Sequence, residues 1–166
     1  PNDRITKSAI DGLGRLGLYR EKNNKEVVNE ALIKKLIKFY QERVKYIEEN
    51  NSIFDSKTLE DYGWWFASGV IDKKISLELL IKTLSITKGQ IDPDHLVLEK
   101  LEESSDSYPE LVSQCLDLIV QNTEEKWVIA GNKERIRKIV IKLFESSDTN
   151  TIHITSGIVG RLTAKG

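Results

Sequence analysis

Apolar residues recur at helical intervals along most of the chain, with lysine and glutamate between them. The longest such segment spans residues 25–50, and its apolar positions are Val28, Leu32, Leu36, Phe39 and Ile47. Because residues three or four positions apart share one face of a helix, this spacing predicts an amphipathic helix whose apolar face is formed by these residues. The charged residues within the segment are not typical of a membrane-spanning helix.

The same periodicity predicts further, shorter helices toward the carboxyl end. They are expected at residues 58–70, 75–87, 93–104, 108–122, 133–145 and 149–163, with a short helix within 123–131. No segment shows the sustained alternation of a half-buried strand. Threonine and isoleucine are dense in TNTIHITSGIVG, residues 149–160, so a strand is the main alternative there. The pattern as a whole predicts an all-α fold.

A seven-residue sequence occurs twice, as KLEESSD at residues 100–106 and as KLFESSD at residues 142–148. The two copies differ only at Glu102 and Phe144. An offset of 42 residues also aligns apolar positions on both sides of the motif. Each copy therefore predicts a helix, a tight Ser-Ser-Asp turn and a second helix. We expect Asp106 and Asp148 to cap the helix that follows each turn, where a negative charge also suits the helix dipole.

Two helices in a period of about 40–47 residues are the unit of HEAT and armadillo repeats, and the chain resembles this class. The resemblance covers residues 92–166 clearly and residues 56–91 as a degenerate earlier pair, while residues 5–50 can supply a first pair. It implies antiparallel helix pairs stacked as a short HEAT-like α-solenoid of about seven to nine helices. The whole chain, residues 1–166, is then a single repeat domain.

Composition and charge narrow the functional classes. Hydrophobic residues make up 39% and charged residues 31% of 166 residues, which suits one folded domain. A net charge of −1 gives no global field that draws the chain to nucleic acid or to an anionic membrane. The start PNDRITKS is not a secretory signal, so a cytoplasmic location without membrane contact is expected. Because the chain lacks an initiator methionine, we expect a fragment of a longer protein.

Residues that carry chemistry in other proteins form no recognisable set here. DGLGRLG, residues 11–17, has dinucleotide-site glycine spacing, but no strand pattern precedes it, and a helix end or close helix packing is preferred. Cys115 is the only cysteine and is expected to be a small core residue. His95 and His153 are not at metal-ligand spacing from each other or from Cys115. We therefore predict no cofactor, no metal and no catalysis.

DYGWWFASG, residues 61–69, contains the residues that we consider first for partner binding. Trp64 and Trp65 point about 100° apart on a helix, so both can hardly be fully buried against the same neighbour. One is expected to fill the core, and the other is a candidate anchor for a protein partner or for another domain of the parent chain. WWFASGVIDKKISLELL also resembles helical carboxyl-terminal segments of large bacterial multidomain proteins, a resemblance that transfers no catalytic residue.

The stretch KERIRKIVIK offers an alternative, nucleic-acid binding. Its candidate phosphate-binding residues are Lys133, Arg135 and Arg137. HEAT-like DNA glycosylases that recognise alkylated bases use a concave basic surface with aromatic and acidic residues, for which Trp64, Trp65 and Asp61 are the candidates. Opposite charges alternate in these segments, so a solvated helix face is the preferred interpretation. The leading hypothesis is a protein-interaction or scaffold domain without catalysis.

Overall fold

The computed structural model describes residues 12, 30–50, 57–122 and 131–165, in which all regular structure is helical. Its α-helices are α1 (Glu30–Asn50), α2 (Tyr62–Ser68), α3 (Lys73–Ile86), α4 (Asp94–Ser104), α5 (Pro109–Asn122), α6 (Lys133–Phe144) and α7 (Thr149–Lys165). A short 3-10 turn, Lys57–Leu59, precedes α2. The all-α prediction is confirmed for this part of the chain. The segment for which a strand was the alternative forms α7.

Some sequence predictions lie outside the described residues. These are the amino-terminal part of the first helix, the glycine-rich stretch apart from Gly12, and nearly all of the short helix within 123–131. The remaining helices begin and end close to the predicted positions, except that α2 is shorter than residues 58–70. Its carboxyl end is set by Gly69, whose φ of 69° is in the left-handed region that glycine adopts without a steric penalty.

The helices make two series of contacts between next-but-one neighbours. One series joins α2 to α4 and α4 to α6, and the other joins α1 to α3, α3 to α5 and α5 to α7. Consecutive helices also pack together within α2–α3, α4–α5, α5–α6 and α6–α7. An apolar core of buried residues contributed by every helix from α1 to α7 holds these contacts together.

Side-chain contacts give the direction of one pair of helices in each series. Near the amino ends of α4 and α6, the Asn132 amide donates to the Asp94 carboxylate over 3.3 Å. Near the carboxyl ends, Lys142 Nζ donates to Asp106 Oδ2 over 2.8 Å. The helices α4 and α6 therefore run in the same direction. In the other series Asn150 contacts Glu110 near the amino ends of α7 and α5, and Arg161 pairs with Asp117 further along, so these helices are also parallel.

The two copies of the repeated heptapeptide share a buried leucine but differ in their turns. Leu101 and Leu143, at matching positions, are both fully buried. Asp148 caps α7 as predicted: its Oδ2 accepts from the Thr151 amide over 2.7 Å and from the Thr151 hydroxyl over 2.6 Å. These donors lower the pKa of Asp148, with the hydroxyl contributing most.

The prediction that Asp106 caps the following helix was wrong. Helix α5 begins at Pro109, three residues after Asp106, whereas α7 begins directly after Asp148. Proline is favoured in the first helical turn because its missing amide hydrogen is not needed there. The Asp106 carboxylate is therefore too early to cap α5, and it accepts instead from Lys142 of α6. This bond is the main cause of the raised pKa of Lys142.

Candidate protein-binding surfaces

The two tryptophans of α2 have different environments. Trp65 is 3% exposed and packs beside the Tyr40 and Tyr62 rings, with ring centroids 5.9 and 6.4 Å away. Trp64 is half-buried, and it is the one residue of Tyr62–Ser68 that is not buried. Trp65 therefore belongs to the core and offers almost no surface to a partner. Of the two candidate anchors, only Trp64 can touch a protein partner directly.

A buried aromatic cluster supports the helix that carries Trp64. The Tyr40 and Tyr62 rings stack with centroids 4.4 Å apart. The Tyr40 hydroxyl is 2.6 Å from the Thr83 hydroxyl, and the Tyr62 hydroxyl donates to the backbone oxygen of Ser76 over 3.2 Å. Burial raises the pKa of both phenols, and their hydrogen bonds partly oppose that effect. The neutral rings and their hydrogen bonds thus hold α1, α2 and α3 together.

Gly63, the residue before Trp64, lies against the chain that leads into α4. A Cβ atom at this position would be 2.4 Å from the backbone oxygen of Asp92. Only glycine fits such a close approach without displacing backbone. The absence of a side chain at Gly63 therefore fixes how closely α2 approaches this loop, and with it the position of Trp64.

The three candidate phosphate-binding residues do not form one free basic surface. Arg135 donates to the backbone oxygen of His95 over 2.9 Å and pairs with Glu99 at 3.2 Å and Glu102 at 3.4 Å. Its guanidinium therefore joins α6 to α4. Lys133 is exposed, and the Arg137 side chain is 72% exposed and 4.0 Å from Glu134. The pairing of Arg135 depends on the neighbouring helix and had no signal within its own segment.

A shallow depression of about 460 Å³ lies at the amino end of α6. It is lined by Gly131, Asn132, Lys133, Glu134, Arg135 and Lys138. The depression brings Lys133 close to Arg135, but Arg137 is not part of its lining. Lys138 is 3.9 Å from Glu102, and Arg135 pairs with the same carboxylate. Much of the positive charge in this depression is thus balanced by α4.

One exposed apolar surface lies on α1. Leu32, Phe39 and Tyr46 are each about 40% exposed and are seven residues apart, so they lie along one line of the helix. The sequence pattern had placed Leu32 and Phe39 on the same apolar face as Ile47. In the structure the buried face is centred on Tyr40, Val44 and Ile47 instead, because these residues meet α3 and the aromatic cluster.

A second exposed apolar surface lies on α6 and α7. We call it the α6–α7 face; it consists of Ile141, Phe144, Ile152 and Val159. Ile141 is 50%, Phe144 43% and Ile152 36% exposed, and Val159 is half-buried. One feature of the sequence points to this surface: Phe144 stands where the first heptapeptide has Glu102.

The remaining candidate features are the Cys115 thiol, clusters of metal ligands and membrane-spanning helices. Cys115 is fully buried as predicted, and burial raises the pKa of its thiol. Within residues 30–50, 57–122 and 131–165, no three histidine, cysteine, aspartate or glutamate side chains converge as metal ligands. In that part of the chain no helix combines the length and apolar character required to cross a membrane. No family model matches the chain, and neither a curated protein nor a solved structure is significantly similar to it.

Proposed function

We propose that this chain is a HEAT-like helical-repeat domain that binds a protein partner, or another domain of a parent chain, without catalysis. The observation that carries the proposal is the contact between parallel next-but-one helices. Contacts between α4 and α6 join residues 33 to 40 positions apart, somewhat less than the 42-residue offset of the repeated heptapeptide. Stacked helix pairs of this kind present extended surfaces that other proteins bind.

Trp64 is the residue that we propose as the anchor for the partner. It is the partly exposed member of an otherwise buried helix, and Tyr62 and Trp65 hold that helix against Tyr40 of α1. A tryptophan held by a rigid base loses little conformational entropy when it is covered, which is why such residues often dominate binding energy. We place this scaffold in the cytoplasm, consistent with the resemblance to helical segments of multidomain proteins.

Nucleic-acid binding has less support as an alternative function. It requires Arg135 to contact phosphate, but this guanidinium already binds Glu99, Glu102 and the backbone of His95. Of the three basic residues only Lys133 and Arg137 are exposed, and Arg137 has Glu134 4.0 Å away. Base-excision chemistry would also need an exposed aromatic and acidic set, and both Trp65 and Asp61 are buried.

Quantitative affinity purification with three baits, the native chain and two variants, tests the proposal. We expect a partner captured by the native chain to be lost, or to bind about 30-fold more weakly, with Trp64→Ala, because truncating a hot-spot residue costs about 2 kcal/mol or more. Lys82→Ala, which changes an exposed residue of α3, is the matched control and should retain the partner. Circular dichroism establishes that both variants fold.

Two outcomes would contradict this proposal in different ways. Equal capture by the native chain and Trp64→Ala would remove Trp64 as the anchor. Failure of the native chain to enrich any protein, over a control resin and across lysates with and without added salt, would contradict the protein-binding function itself.

A further inference from the structure

We propose that the α6–α7 face is the contact surface of a homodimer, in which two copies of the chain pack α6 against α6 in opposite directions. This contact is separate from the partner surface at Trp64, so either can fail without the other. The equivalent surface of the preceding helix pair, α4 and α5, is covered in the structure.

The corresponding surface of α4 and α5 is covered by α6 and α7 through acidic residues. The pairs are Glu99–Arg135 at 3.2 Å, Glu102–Arg135 at 3.4 Å, Glu110–Asn150 at 3.2 Å and Asp117–Arg161. These acidic residues thus mark the edge on which the next helix pair lies. Their positions show where a neighbour contacts this fold.

The repeat offset carries these acidic positions onto apolar residues in the last pair. Adding 42 residues to each gives Ile141, Phe144, Ile152 and Val159, which are the four members of the α6–α7 face. The position of the contact is kept while its chemistry changes from ionic to apolar. A neighbour that covers this face must itself be apolar there. A basic residue in the position of Arg135 would find no carboxylate on this face and would be buried without a counter-charge.

A second copy of the same face meets that requirement. A two-fold axis through Ile141 places Ile141 of one copy against Ile141 of the other, and Phe144 against the aliphatic stem of Lys138, which is the self-complementary geometry of the commonest homo-oligomers. Arg137 and Glu145 are each exposed and lie four residues to either side of Ile141. When two α6 helices run in opposite directions, Arg137 of each copy therefore lies opposite Glu145 of the other. Two ion pairs then flank the apolar centre.

The same geometry limits the affinity of the dimer. Lys138 keeps its charged end in solvent opposite Phe144 of the other copy, so the fully apolar part of the contact is confined to the residues near the axis. Few exposed apolar side chains are covered, which places the contact among small and weak interfaces. We expect a dissociation constant on the order of 100 µM.

Analytical ultracentrifugation of the full chain up to about 500 µM tests the dimer in the weak-interface range. The native chain should associate reversibly, and Ile141→Glu should stay monomeric, because it sets the carboxylates of the two copies against each other at the two-fold axis. Phe39→Glu on α1 is the matched control: its side chain is also an exposed apolar one, at 39% against 50% for Ile141, and its dimer should be unchanged.

A charge exchange tests the opposite direction of the two helices without removing apolar area. Arg137→Glu should weaken the dimer several-fold through repulsion from Glu145, and the double variant with Glu145→Arg should restore it. A native chain that is monomeric throughout the concentration range overturns the proposal. Association that Phe39→Glu abolishes and Ile141→Glu does not would also overturn it, by placing the contact on α1.

Discussion

Replacing Trp65 with alanine lowers the free energy of unfolding by about 3–5 kcal/mol, the usual cost of truncating a buried tryptophan. The side chain is 3% exposed and packs against Tyr40 and Tyr62, which belong to two different helices. Its removal leaves a cavity where α1 and α2 meet, and rigid neighbours fill such a cavity only in part. Urea unfolding followed by circular dichroism measures the loss.

Trp64→Ala is the matched control for this experiment, since it removes the same side chain from the adjacent position of the same helix. Trp64 is half-buried, so its truncation should cost clearly less than that of Trp65. Equal losses for the two variants, or a larger loss for Trp64→Ala, would contradict the assignment of Trp65 to the core and of Trp64 to the surface.

The second large effect is expected at the buried leucine that both heptapeptides share. Leu101→Ala and Leu143→Ala should each lower the free energy of unfolding by about 2–5 kcal/mol. Both side chains are fully buried in the core that joins the helices. Similar losses at the two sites would show that the repeated sequence fills equivalent positions in two packed units.

Glu103→Ala and Glu145→Ala are the controls, because these glutamates also occupy matching positions but are exposed. Surface substitutions of this kind usually change stability by less than about 0.5 kcal/mol. If Leu143→Ala behaved like Glu145→Ala, the second heptapeptide would not be packed as the first is.

Periodicity predicted most of the described helices because packing against a core requires apolar residues three or four positions apart. For α3, the predicted residues 75–87 compare with Lys73–Ile86 in the structure. The covered face of α1 could not be predicted as well. Apolar side chains extend around most of that helix, and only contact with α3 and the aromatic cluster decides that Tyr40 is buried while Phe39 is exposed.

Identical residues can also have different roles when their surroundings differ by a few positions. Asp148 caps α7, whereas Asp106 binds Lys142, because Pro109 delays the start of α5. The contacts of the candidate binding residues also depend on neighbouring helices and could not be predicted from their own segment. Arg135 looked available in its own segment, but its counter-charges Glu99 and Glu102 lie on α4, 36 and 33 positions earlier, so only the contact between α4 and α6 reveals them.

The central claim is that the two heptapeptide units lie side by side and run in the same direction. Zero-length carbodiimide cross-linking at low protein concentration, read by mass spectrometry, tests it directly. Lys142 Nζ is 2.8 Å from the Asp106 carboxylate, so an amide link between these residues is expected. The Lys100–Glu103 link, from a pair 3.0 Å apart within α4, shows that the reagent has reacted whatever the stacking. A Lys100–Asp148 link in place of Lys142–Asp106 would contradict the account, as would the Lys100–Glu103 link alone.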